Sequence, residues 1–77
     1  MRVSELVSDL QALRANLAEE LSAVNRYEPL IESLAHEEAV EVVKRIVDAR
    51  KDHVALLNRT IERLDPRQAE ANRSVAG

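Results

Sequence analysis

Two interlocking seven-residue ladders in each half of the chain constrain it to long, paired helices. Leu10, Leu17, Val24 and Ile31 form one ladder, and Leu6, Leu13, Glu20, Tyr27 and Leu34 form a second. In the C-terminal half, Val40, Val47, Val54 and Ile61 run beside Val43, Arg50, Leu57 and Leu64. Side chains three and four residues apart share one helix face, and a double repeat sustained over a whole segment is the pattern of a coiled seam. Each half interrupts its second ladder once with a charge, at Glu20 and at Arg50. A charge in a seam requires a counter-charge, either a bound metal ion or a cationic or anionic side chain.

The chain has 77 residues, enough for a single domain over 1–77. A domain of that size buries only roughly 60 % of the surface its unfolded chain exposes, so help from a partner chain is expected. Its residues are 45 % hydrophobic with a single aromatic, Tyr27, and one glycine, a profile of long helices. The net charge of −3 comes from interspersed acids and bases. No field attracts a phosphate backbone and no aromatic platform stacks bases, so nucleic acid is not an expected partner. Cysteine is absent, which removes disulfides, thiolate metal sites and thiol nucleophiles. The sequence contains neither a membrane-length apolar run nor a signal-peptide pattern, and a soluble cytoplasmic protein is expected.

Read in order, Ser4 is the expected N-cap of a first helix over about 4–34, with Glu5 and Asp9 at the positive end of its dipole. Pro29 removes the amide that would bond to the Asn25 carbonyl, so the helix kinks there or stops near Tyr27 and Glu28. The kink is preferred because Leu30, Ile31 and Leu34 keep both ladders in phase. A turn at Ala35 and His36, with His36 solvated, leads to a second helix over about 37–64 that opens on Glu37 and Glu38. Asp65-Pro66 ends it, since a residue before proline disfavours helical geometry. Asp65 then caps a short third helix over about 66–73, with Pro66 first and Gln68 at the capping-box position. The tail RSVAG is expected to fray. Ser22 and Thr60 read as helix-surface residues, and Lys44, Arg45, Lys51 and Arg59 as a solvated face.

The short turn makes the fold all-α, an antiparallel helical hairpin with a short C-terminal helix. One register closes every layer. Leu10 meets Ile61, Leu17 meets Val54, Val24 meets Val47 and Ile31 meets Val40, while Leu6 meets Leu64, Leu13 meets Leu57 and Tyr27 meets Val43. The same register sets Glu20 opposite Arg50, with His53 one turn further along. Further apolar residues, among them Val7 and Leu30 on the first helix and Val42, Ile46 and Leu56 on the second, lie off the seam. A second hairpin would cover them, so a homodimer or higher homo-oligomer completing a four-helix bundle is expected.

The stretches EELSAVNRYEPLIESL and VVKRIVDARKDHVALLNRTIERLDP, within about 17–66, resemble the two-helix ferritin-like proteins, the group of encapsulated ferritins and their rubrerythrin-like relatives. In that family a first-helix Glu lies seven residues before an aromatic, and a second-helix Glu-x-x-His completes a di-iron ferroxidase site when hairpins dimerise. The resemblance implies a ferritin-like half-bundle, iron as cofactor, Glu20 and His53 as metal ligands, and Tyr27 as a nearby hydrogen-bond donor or electron source. It also implies an encapsulin shell as partner and a place inside a protein nanocompartment. Where the family has its second Glu, this chain has Arg50. A guanidinium supplies neither oxygen ligands nor negative charge to iron. RSVAG does not resemble a shell-targeting peptide, and the sequence is expected to stop short of one.

Two main readings follow. In the first, Glu20 and His53 from two chains bind iron and support Fe(II) oxidation, with Tyr27 beside them and Arg50 turned outward on its long stem. In the second, the bundle is a metal-free interaction or structural module in which Glu20 pairs with Arg50. Hydrolysis on a Glu-His pair is a weaker third reading, because no motif places a nucleophile.

Overall fold

The computed structural model describes residues 2–76, and among them every regular element is a helix: α1 (Val3–Ser33), α2 (Glu37–Leu64) and α3 (Pro66–Ala76). α1 starts one residue before Ser4 and carries no side-chain cap. The amides of Glu5 and Leu6 instead donate to the Arg2 carbonyl at 3.1 and 3.2 Å. α1 continues through Pro29, and Leu34 leaves it in extended geometry (φ −81°, ψ 136°). Three residues, 34–36, make the turn. A connection that short leaves α2 no course except back along α1.

The two ladders sort into a seam and its margin. Leu10, Val24, Val47 and Ile61 are buried, and they are partners in two layers of the expected register. The rest of the first ladders and all of the second are half-buried, including Glu20, Tyr27 and Arg50. Ala23 is also buried, although it belongs to neither ladder.

At the open end of the hairpin, Asp65 joins all three helices. Its amide closes α2 on the Ile61 carbonyl at 2.8 Å, and its side chain accepts from the Gln68 amide at 3.3 Å and from Arg14 Nη2 of α1 at 2.7 Å. Asn72 of α3 donates to Glu62 of α2 at 2.7 Å. α3 runs on to Ala76, so residues 74–76 of the tail expected to fray have helical backbone here, and Gly77 lies outside the described residues. Replacing an N-cap aspartate by alanine typically costs about 0.5–2 kcal/mol. Asp65→Ala should lower hairpin stability by about that much, and Asp65→Asn, which keeps the capping oxygen, should lose less. Denaturant melts of the two variants measure the difference.

The molecule is 51 × 30 × 14 Å, so its thinnest dimension is barely more than one helix. A single layer of helices can bury only the faces that meet. Val7, Leu21 and Leu30 of α1 and Val42, Ile46 and Leu56 of α2 therefore stay exposed. No described helix is long and apolar enough to cross a membrane.

Candidate functional site

Glu20 stands midway along α1, and the layer register sets it facing α2. Arg50 Nη1 donates to Glu20 Oε1 at 2.7 Å, and His53 Nδ1 lies 3.1 Å from Glu20 Oε2. Both carboxylate oxygens are thus engaged from the opposite helix, by residues three apart and hence on one face of α2. A carboxylate only accepts, so the Nδ1 of His53 carries the hydrogen in this contact. The Glu20 side chain is 12 % exposed, against 37 % for Arg50 and 55 % for His53. The acid is the enclosed member of the cluster, and its two partners reach it from the margin.

Burial pushes the Glu20 carboxyl up, but the hydrogen bonds from Arg50 and then His53, together with their positive charges, outweigh it and hold the group below its ordinary value. A carboxyl whose folded pKa is lowered stabilises the fold above its unfolded value, about 4.3 for glutamate, and that contribution is lost as pH falls through the folded value. The hairpin should therefore weaken on acidification below about pH 4, and the Glu20→Gln variant should show a shallower loss over the same window. Thermal melts across that range check both.

Tyr27 is not drawn into the cluster. It is half-buried one layer toward the turn, with the guanidinium of Arg26 5.6 Å from its ring centre. Among the described residues no hydrogen bond joins it to Glu20, Arg50 or His53. Two further interhelical pairs were not legible from the ladders: Lys51 Nζ with Glu28 Oε2 at 3.0 Å, and Arg14 with Asp65. Both lie outside the seam. An acid and a base flanking facing ladders is the only signal that could have suggested them. A small polar recess lined by Glu19, Ala23, Arg26 and Arg50 opens beside the cluster.

These side chains do not fit a di-iron centre. Two irons need several hard, anionic oxygen ligands. The cluster offers one carboxylate, and a permanently charged guanidinium holds one of its two oxygens. Arg50 points inward onto Glu20 and does not turn outward. Among the described residues no group of three acids, histidines or cysteines converges to hold a metal ion. A second hairpin would add one carboxylate and one imidazole, and also a second guanidinium.

No protein-family model matches the chain, and no solved structure matches it. Among characterised proteins, the encapsulin nanocompartment cargo protein EncC of Myxococcus xanthus (strain DK1622) is 36 % identical over 59 residues. Those residues are 77 % of this chain and 45 % of that protein, so the chain spans less than half the length of the relative that it matches.

Proposed function

We propose that this chain is a cargo-type module of an encapsulin nanocompartment: a ferritin-like half-bundle that self-associates and acts as an assembly element, with an arginine where a metal centre would require an acid. The observation that carries the metal-free part is the 2.7 Å contact of Arg50 Nη1 with a Glu20 carboxylate that is 12 % exposed. The likeness to EncC, a protein named as encapsulin cargo, supports association with a shell. The exposed apolar residues of a hairpin one helix thick support self-association into a four-helix bundle.

In this reading the cluster serves specificity. An unpaired charge on a half-buried seam is disfavoured far more than a paired one is favoured, so the pair penalises every register except the one in which Glu20 meets Arg50. The competing reading makes Glu20 and His53 iron ligands and Tyr27 an electron source. Its support is the imidazole held 3.1 Å from the acid, and it requires Arg50 to leave Oε1.

Co-expression with an encapsulin shell protein tests the shell association. The shells are isolated and treated with protease, and the same chain carrying an appended shell-targeting peptide serves as control. Recovery of the unmodified chain, protected inside the shells, is the expected result, and because RSVAG resembles no targeting peptide it would assign the docking contact to the hairpin itself. Recovery of the control alone would mean that this segment has no shell association of its own.

A further inference from the structure

The exposed apolar residues of α2 form a second seam. Val42, Ile46, Ala49, His53 and Leu56 alternate spacings of four and three, the pattern of the first seam turned about a quarter of the way round the helix, with His53 at the border between the two. All five are exposed, Val42 at 50 %, Ile46 at 39 % and Leu56 at 60 %. We propose that this stripe binds the same stripe of a second copy, antiparallel, about a twofold axis at Ala49. The inference rests on the self-association reading above and names the surface and register it uses.

The register follows from the stripe and from the charges along its outer edge. With Ala49 on the axis, Val42 meets Leu56 of the second copy and Ile46 meets its His53, twice each by symmetry. The outer edge carries Glu38, Arg45, Asp52 and Arg59, each seven residues from the next. In an antiparallel pair, residues on one flank face their counterparts on the same flank. The Ala49-centred register therefore sets Arg45 against Asp52 of the second copy and Glu38 against its Arg59. That makes four opposite-charge contacts and no like-charge contact on this edge. A slip of one heptad in one direction sets Arg45 against Arg45 and Glu38 against Asp52. A slip in the other sets Asp52 against Asp52 and Arg45 against Arg59. Only the central register is free of repulsion there, the means by which coiled coils select their pairing.

Two features of the hairpin agree with this. Among the described residues Glu38, Asp52 and Arg59 form no ion pair, and Arg45 reaches only Glu41 of its own helix, at 3.4 Å with both side chains exposed. A groove of about 440 Å³ with a mostly apolar lining opens over Ala39, Val42 and Val43, where Leu56 of the second copy would insert as a knob into a hole. On the inner edge, Arg50 of each copy would approach the axis with its charge offset by its own Glu20. The dimer would thus place the two polar clusters side by side and cover both His53 rings.

The test is charge exchange. Arg45→Asp and Asp52→Arg each turn two attractive contacts into repulsions, and each variant alone should weaken the dimer about ten- to a hundredfold by sedimentation equilibrium. Mixed together they should dimerise again, because each variant supplies the charge the other lacks. Ala49→Cys, in a chain with no other cysteine, should cross-link to itself under mild oxidation, which needs Cα atoms within about 7 Å, while Ser22→Cys should not. A dimer that ignores the charge variants and fails to cross-link at Ala49 would overturn this seam and leave self-association standing. An unmodified chain that stays monomeric at every concentration would overturn both.

Discussion

Arg50→Glu should convert a hairpin that takes up only traces of divalent metal into one that binds about one ion per chain. The substitution removes the guanidinium that holds Glu20 Oε1 at 2.7 Å and puts a carboxylate in its place, three residues before His53 and on the same face of α2. Without a cation, two acids then share one half-buried layer, and like charges that close disfavour joint ionisation. The metal-free variant should melt lower than the parent, and added Zn(II) or Fe(II) should raise its melting temperature, since a ligand that binds only the folded state stabilises it by mass action. The parent should show little of that metal dependence. A variant that is destabilised and unresponsive to metal would mean that the layer cannot accept a cation even with the charge corrected.

Ile61→Ala should be among the most damaging single truncations in the chain. Among the described residues Ile61 is one of five buried apolar residues, and its expected layer partner, Leu10, is another. Removing the outer part of a buried isoleucine costs about 2–5 kcal/mol, through lost transfer free energy and the cavity left behind. A domain of 77 residues has a total stability of only about 4–12 kcal/mol. The Ile61 main-chain carbonyl, which alanine keeps, still closes α2 on the Asp65 amide, but the Asp65 side chain one turn on ties α1 to α3, so loosening of the layer beside it should spread to the third helix. Urea melts followed by circular dichroism would read the loss as a lower midpoint. An unchanged midpoint would mean that the Leu10–Ile61 layer contributes little to the hairpin.

The paired ladders made most of the fold legible in the sequence, because a seven-residue period can be satisfied only by helices that meet along it. The same periodicity set Glu20 level with Arg50, and the 2.7 Å contact spans that level. Ala23 was missed because it belongs to neither ladder, so the periodicity carries no sign of its burial. The pairs Lys51–Glu28 and Arg14–Asp65 depend on rotamers of long side chains at the seam's edge, which no periodicity encodes. Ser4 has good capping chemistry, yet the helix begins ahead of it on the Arg2 carbonyl, and the tie of Asn72 to Glu62, which steadies α3 against α2, joins two side chains that no periodicity pairs.

The outer face of α2 changes meaning between sequence and structure. Read singly, Arg45 and Arg59 are solvated charges beside acids. Set beside the exposed Val42, Ile46 and Leu56, their order along one edge would, in the proposed dimer, select a single antiparallel register. The feature that makes the hairpin incomplete, a thickness of 14 Å, is also what leaves that edge available.

The most direct test of the central claim, that Glu20 is answered by Arg50 and not by metal, is anaerobic calorimetric titration of Fe(II) into the unmodified chain at neutral pH and at a concentration high enough for the proposed dimer to form. The expected isotherm shows no stoichiometric binding, and subsequent exposure to air produces no oxidation faster than that of free iron. Saturable uptake approaching two irons per pair of chains, abolished by Glu20→Gln and by His53→Ala, would contradict the claim.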